Sequence, residues 1–465
     1  MWIIIKKLVA SSFLFVSISC NNATINEVEQ VPLINSKFRN AIHVNKDQAN
    51  MVNYNFDSKV TTYEKFNELT YTKKDVGFDK NLEILNRDGC ECIKGYWPSS
   101  NDNTMPSNIL GSDDRSYVYT ECKNYPCRTV GLVIATYHQV FNNNTKKYVD
   151  RIFGGTCFLV GPNIVATAGH CTFADVTDSA YFDDGRFNPR FADSIEIYFG
   201  VNGLDEYKQR SSYRWYAKAK VANIQKDFYE ASNDYKRHNY DWAAIELDRN
   251  IGYELGWNGR IRNYYEKGHT IESYGYPGDK PLTMWCSVGK MIGKNDFVYY
   301  TDLDSYGGQS GSPYFIVNSF NEYYVCGIHT FGSDSYNGGT IFNDFITAYF
   351  NSYFEGTIPD GYLQLEIEGK NGNTWIINVG NWLNFDVTVQ YNSKMCNFND
   401  AKNWNGLKDV KTLNISRNQE KTIDISENWF ATSIAVSYQR NGKRYITYAD
   451  KLNTNKTMNL YYSSK

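Results

Sequence analysis

The run Tyr306-Gly307-Gly308-Gln309-Ser310-Gly311-Ser312-Pro313 sets Ser310 among three glycines. Hydrolysing an amide near neutral pH needs a nucleophile, a base to take its proton, a group to orient that base, and donors for the oxyanion. Each has a candidate. Ser310 is the nucleophile, since glycines on both sides let the backbone take a tight turn that aims a hydroxyl and amides at one spot. The amides of Gly308 and Ser310 are the oxyanion donors. The base is His170, in Ile164-Val165-Ala166-Thr167-Ala168-Gly169-His170-Cys171, where a strand delivers a small-residue turn and then an imidazole; the chain has only six histidines. Asp241 opens the apolar strand Trp242-Ala243-Ala244-Ile245-Glu246-Leu247; held partly buried, it fixes the His170 tautomer and stabilises the imidazolium. Taken singly, a Gly-Ser turn, a lone histidine and an aspartate before a strand are usually structural. Three complementary roles in one chain point to acyl transfer. Ser312 stands where a nucleophile elbow needs glycine, which excludes the α/β-hydrolase arrangement.

Short apolar or alternating runs must position these groups. They recur between Gly, Asn and Asp turns at 129–137, 155–167, 194–199, 215–224, 242–247, 297–301, 312–316 and 323–328, the pattern of an all-β barrel or sandwich. Residues 341–354 break it, with Ile341, Phe342, Phe345, Ile346, Tyr349, Phe350 and Tyr353 at helical spacing; an amphipathic helix is expected to close the domain. After the Pro359-Asp360-Gly361 turn a second set of alternating strands begins, about 100 residues that suit an independent β-sandwich. No residue cluster in it suggests chemistry. Upstream, 21–107 is Asn/Lys/Asp-rich with weak periodicity and reads as a propeptide.

Composition bounds the rest. The chain has 465 residues, 42% hydrophobic and 21% charged, enough for two or three packed domains. Aromatics at 16% favour strands. A net charge of -3 gives no reason to expect nucleic acid or an anionic membrane as partner. Lys6-Lys7, an apolar run to Ile18 and the small-residue site Ser17-Ile18-Ser19 read as a signal peptide. That run is short for a span, and no later stretch approaches the roughly 20 apolar residues a transmembrane helix needs. Cys20 is a candidate lipid anchor, although Ser17 replaces the Leu or Val of a lipobox. Export permits disulfides, and the ten Cys suggest local pairs: Cys122 with Cys127, Cys157 with Cys171, Cys286 with Cys326. Cys90, Cys92 and Cys396 stay unassigned. None has the spacing of a zinc site, and neither metal nor cofactor is called for.

The order His170, Asp241, Ser310 is that of the two-barrel chymotrypsin-type enzymes, and the chain resembles the bacterial glutamyl endopeptidases, V8-like and Bacillus-type, among the trypsin-like serine proteases. The resemblance runs from about residue 108 to 354. It rests on Gly111-Ser112-Asp113-Asp114-Arg115, Thr167-Ala168-Gly169-His170-Cys171, Tyr240-Asp241 with Ala244-Ile245-Glu246-Leu247, Gly275-Tyr276-Pro277-Gly278-Asp279-Lys280, and the Ser310 run. It implies a chymotrypsin-like double β-barrel with the site between barrels, His170, Asp241 and Ser310 as triad, and a Cys157–Cys171 disulfide bracing the His170 loop. For substrate recognition it implies Ser305, His329 in Gly327-Ile328-His329-Thr330, and the α-amino group of Asn108 once the chain is cut near Ser107-Asn108. A substrate carboxylate wants donors and partial positive charge, and a histidine can supply both. Gln309 occupies the position where ammonium-activated trypsins carry Asp, so removal of the pro-segment must act in another way.

The expected organisation is a signal peptide over 1–19, a propeptide over 20–107, a protease domain over 108–356 with its C-terminal helix, and a β-sandwich over 361–465. The expected protein is a secreted, monomeric endopeptidase acting on protein or peptide substrates after Glu, and less readily Asp; a cell-surface lipoprotein is the alternative location. Competing readings are a protease-fold adhesin working through the sandwich, and an endopeptidase of different preference.

Overall fold

The computed structural model describes residues 43–67, 84–85, 107–142, 147–175, 189–231, 237–318, 323–353, 363–381, 386–404, 406–416, 419–428, 431–440, 442–450, 452 and 459–464. The signal peptide, Cys20, Cys90 and Cys92 lie outside them, as does the junction between protease domain and sandwich.

Two six-stranded barrels close on themselves. In the first, Ser194–Phe199, Val130–Asn142, Lys147–Leu159, Ile164–Thr167, Ala243–Leu247 and Tyr216–Gln225 pair in that order, and the last pairs back to the first. In the second the order is Tyr323–Gly332, Asn337–Ile341, Val298–Thr301, Trp285–Lys294, Thr270–Gly275 and Pro313–Asn318, again returning to the first. Closure satisfies edge hydrogen bonds and leaves one face of each strand for the core. Ile134, Phe158, Val165, Ile197 and Ile245 fill the first barrel; Ile271, Met291, Tyr299, Tyr314 and Ile316 fill the second.

The closing helix is Asp344–Asn351, shorter than the periodicity predicts. Ile341 ends a strand, and Asn343 caps the helix by accepting from the Ile346 amide at 2.9 Å. Local capping chemistry overrides apolar spacing there.

Part of the expected propeptide is built into the first barrel. Met51–Asn55 pairs antiparallel with Tyr216–Gln225, and Val60–Glu64 pairs back on it as a hairpin. Met51 and Val52 are buried, and Phe66 packs edge-on against Phe345 and Tyr349 of the closing helix, at 5.4 and 5.0 Å. The following domain is a sandwich of a three-stranded sheet (Leu363–Asn371, Thr374–Asn381, Glu420–Ser426) and a five-stranded sheet (Val410–Ile415, Val387–Asn392, Ile434–Arg440, Lys443–Asp450, Asn459–Ser464). Arg128 of the protease part reaches Glu366 and Glu420 of the sandwich at 3.4 and 3.8 Å. Among the described residues no helix is long and apolar enough to cross a membrane.

Candidate active site

His170 follows the Ile164–Thr167 strand in the short turn Gly169–Cys171. Glycine is required before it: a Cβ at 169 would lie 2.9 Å from the Phe228 ring and 3.1 Å from Asp241 Oδ1. Asp241 ends the turn His238–Tyr240 ahead of the Ala243–Leu247 strand and is buried. Its carboxylate holds His170 twice. Oδ1 accepts the His170 backbone amide at 2.9 Å, and Oδ2 meets His170 Nδ1 at 2.6 Å. The pairing places the ring proton on Nδ1 and leaves Nε2 as the acceptor. Burial opposes ionisation of Asp241, but the His170 imidazole, its two hydrogen bonds and the nearby Arg237 guanidinium outweigh it, so the carboxyl lies below the ordinary range. Arg237 is itself buried over the Phe228 ring, 3.9 Å from its centroid, and donates to the Phe173 carbonyl at 2.6 Å. The Asp241 carbonyl accepts from Thr340 Oγ1 at 3.2 Å, which ties the dyad to the second barrel.

Ser310 sits in the turn between Ser305–Tyr306 and Pro313–Asn318. Its carbonyl accepts the Thr156 amide of the first barrel at 2.8 Å and the Cys171 thiol at 3.5 Å, so the segment next to His170 grips the nucleophile turn directly. Gly308 and Gly311 have φ of +103° and +91°. A Cβ at 308 would lie 2.6 Å from the Tyr276 carbonyl, and one at 311 would lie 1.9 Å from that of Thr156, so both glycines are fixed by conformation and by space. The Gly307 carbonyl accepts from Gly278 N at 2.7 Å and the Gln309 carbonyl from Ser312 N at 3.0 Å. Because trans peptide C=O and N–H point oppositely, the amides of Gly308 and Ser310 are directed away from those partners.

Of the three expected recognition residues, Ser305 and Asn108 pair with each other and His329 is bonded to the nucleophile turn. Asn108 pairs with Ser305 across a two-residue ladder. The Ser305 hydroxyl is buried and donates to Asn337 Oδ1 at 2.9 Å. His329 lies on the strand bonded to the nucleophile turn, with Gly311 N to His329 O at 2.7 Å and His329 N to Ser312 O at 2.8 Å. The Tyr314 hydroxyl meets His329 Nδ1 at 2.8 Å. Burial, with the His170 charge as a smaller cause, pushes the His329 imidazole down to about 3. It is therefore neutral at ordinary pH, which corrects half of the sequence expectation: His329 can offer a ring N–H, not a positive charge. Sequence reasoning missed Tyr314, Asn337 and Arg237. Tyr314 and Asn337 hold His329 and Ser305 from other strands, while Arg237, just ahead of the His238–Tyr240 turn, places positive charge near Asp241; no motif marks any of the three.

The expected Cys157–Cys171 disulfide is not formed; both are free, buried thiols. The sulfurs face different neighbours. Cys157 Sγ fills the space above Gly131 beside Ile197 and Phe199, whereas Cys171 Sγ lies above Gly155 and donates toward Ser310 O. Burial pushes the Cys171 thiol up to about 12. The suggested bridges Cys122–Cys127 and Cys286–Cys326 are not formed either.

No family model matches the chain. Over 246 residues it is 32% identical to an extracellular metalloprotease of Bacillus subtilis, an alignment covering 51% of this chain and 66% of the relative. Over 242 residues it is 30% identical to a glutamyl endopeptidase of Bacillus licheniformis, covering 50% and 65%. Over 94 residues it is 47% identical to a glutamyl endopeptidase of Staphylococcus epidermidis, covering 19% and 30%. The matched region thus spans just under two thirds of the length of the two Bacillus relatives. A solved structure of a Glu endopeptidase in complex with MPD aligns with a TM-score of 0.40 and 20% identity over 52% of this chain and 97% of that one. Among the described residues no three His, Cys, Asp or Glu side chains gather as a metal-ligand set.

Proposed function

We propose that this chain, which belongs to the glutamyl endopeptidase family of trypsin-like serine proteases, is an exported serine endopeptidase that cleaves after glutamate through an acyl-enzyme on Ser310. The observation that carries the reading is the His170–Asp241 dyad, held at 2.6 Å and braced by a second bond to the His170 amide, beside a glycine turn that presents Ser310. In this mechanism Ser310 Oγ attacks the substrate carbonyl as its proton passes to His170 Nε2. Asp241 stabilises the imidazolium without taking its proton, and the amides of Gly308 and Ser310 donate to the oxyanion. His170 then protonates the leaving amine, and a water attacks the acyl-enzyme by the same route.

For the cleaved residue, His329, Ser305 and the α-amino group of Asn108 form the recognition set. With Tyr314 donating to Nδ1, the neutral His329 ring keeps an Nε2–H to offer a carboxylate. The Asn108 ammonium, created by cutting the Ser107–Asn108 bond, supplies the positive charge that buried His329 lacks. The reading is supported by the antiparallel pairing of Ser305 with Asn108 and of Tyr306 with Ser107. Export is read from the Lys6-Lys7 leader.

Replacement Ser310→Ala is expected to abolish both peptide hydrolysis and fluorophosphonate labelling; a labelled Ser310→Ala protein would refute the assignment. On peptides differing only at the cleavage residue (Glu, Asp, Gln, Lys, Leu, Phe), Glu is expected to lead. Equal turnover of Gln and Glu would remove the role given to the Asn108 ammonium.

A further inference from the structure

Gln309 lies between the two proposed oxyanion donors, and its carboxamide is pinned at both ends. Its Oε1 accepts from Tyr306 N at 2.9 Å and from Arg115 Nη1 at 3.4 Å; its Nε2 donates to Ser287 Oγ at 3.2 Å. Arg115 is the last residue of Gly111-Ser112-Asp113-Asp114-Arg115, and it is buried where its neighbours Asp113 and Asp114 are exposed. Its guanidinium pairs with Asp113, Nε at 2.9 Å and Nη2 at 2.8 Å, and with Asp279, Nη1 at 3.1 Å and Nη2 at 2.6 Å. It also lies over the Tyr306 ring, 5.7 Å from the centroid. Asp279 belongs to the loop whose Gly278 amide bonds Gly307 O and whose Tyr276 carbonyl packs under Gly308.

We infer that Arg115 is a positioning residue for the reaction, a built-in cation that holds the nucleophile turn through Gln309 and the 276–279 loop. A turn containing two positive-φ glycines has wide conformational freedom, so the aim of its amides must be imposed from outside. One planar guanidinium with five donors can brace three segments at once, which a lysine ammonium cannot do in the same geometry. The segment carrying it is anchored too. Asp304 accepts Leu110 N at 2.6 Å and Asp114 N at 3.1 Å, and Ser116–Tyr117 pairs with Trp285–Cys286. This cation is part of the continuous chain, not a terminus made by cleavage, so ordering of the turn does not wait for processing. That answers what replaces the ammonium-to-Asp contact Gln309 cannot make. The inference rests on Ser310 being the nucleophile.

The test compares wild type, Arg115→Ala, Arg115→Lys, Gln309→Met and Ser310→Ala, all made from the full chain. Readouts are the fluorophosphonate labelling rate, kcat and KM, with thermal melts to score folding. Arg115→Ala is expected to label about 30-fold more slowly, the scale of one lost hydrogen bond to a charged group. The loss should fall mainly on kcat, with partial recovery in millimolar guanidinium and an intermediate rate for Arg115→Lys. A cooperatively melting Arg115→Ala that labels within about threefold of wild type overturns the inference. If that variant does not melt cooperatively, Gln309→Met decides, because it keeps Arg115 and both its carboxylates: slow labelling supports the pivot and a wild-type rate overturns it. An unlabelled wild type, or a labelled Ser310→Ala, refutes the Ser310 reading instead.

Discussion

At the residue scale, two buried titratable groups give the site its pH behaviour. Asp241 is held below its ordinary carboxyl range, so its contribution to stability is present above about 3.8 and is lost as pH falls through its folded value. Asp241→Asn is expected to keep the fold yet lower kcat by about 10⁴, because an amide favours the wrong His170 tautomer; steady-state kinetics with thermal melts checks this. His329 works in a higher window. Its folded value near 3 lies below the unfolded 6.5, so its stabilisation is complete above 6.5 and fades as pH drops toward 3. Urea titrations between pH 6 and 4 should lose about 1.4 kcal/mol per pH unit from this one group, and His329→Gln should remove that part of the slope. An unchanged slope would mean that His329 protonates freely in the folded protein. Millimolar EDTA is expected to leave peptide hydrolysis intact, since Ser310 chemistry uses no metal; inactivation by chelator, reversed by an added divalent metal, would refute the Ser310 mechanism.

At the scale of elements, the nucleophile turn depends on its glycines and the closing helix on its cap. Gly308→Ala must find room beside the Tyr276 carbonyl at a φ of +103°, and is expected to cut kcat well over tenfold in a folded protein. Asn343→Ala should cost about 1 kcal/mol of stability and leave kcat/KM unchanged, because the Asn343 side chain bonds only the Ile346 amide and touches none of the reacting groups. The pro-segment hairpin is testable in the Ser310→Ala chain, which cannot cut itself. There Phe66→Ala opens a cavity beside Phe345 and Tyr349 and should cost about 3 kcal/mol; a loss under about 0.5 kcal/mol would mean that the hairpin contributes nothing to the folded chain.

At the scale of the molecule, the sandwich is joined to the protease part by charges that water reaches poorly. Arg128 and Arg214 both approach Glu366, at 3.4 and 3.8 Å, and burial holds the Glu366 carboxyl up despite them. Glu366→Ala leaves buried guanidinium charge without this partner, and calorimetry should then show the sandwich melting apart from the barrels. A single unchanged transition would show that apolar packing alone couples them. The glycine turn around Ser310, the turn that carries His170 and most strands were legible from the amino acids, because turn chemistry and strand alternation are local, whereas the meeting of His170 with Asp241 is made by the closed barrel. The start of the closing helix was misjudged at Ile341 because apolar spacing carries no record of a cap. The Cys157–Cys171 bridge, expected from Cys spacing and from the resemblance, is not formed. Sequence alone determined which groups could react, for their chemistry is intrinsic. Only the tertiary structure decided that His329 is neutral, that Ser305 faces Asn337, and that Arg115 stands behind Gln309, because burial and contacts between distant strands are properties of the closed barrels and of no local run of residues.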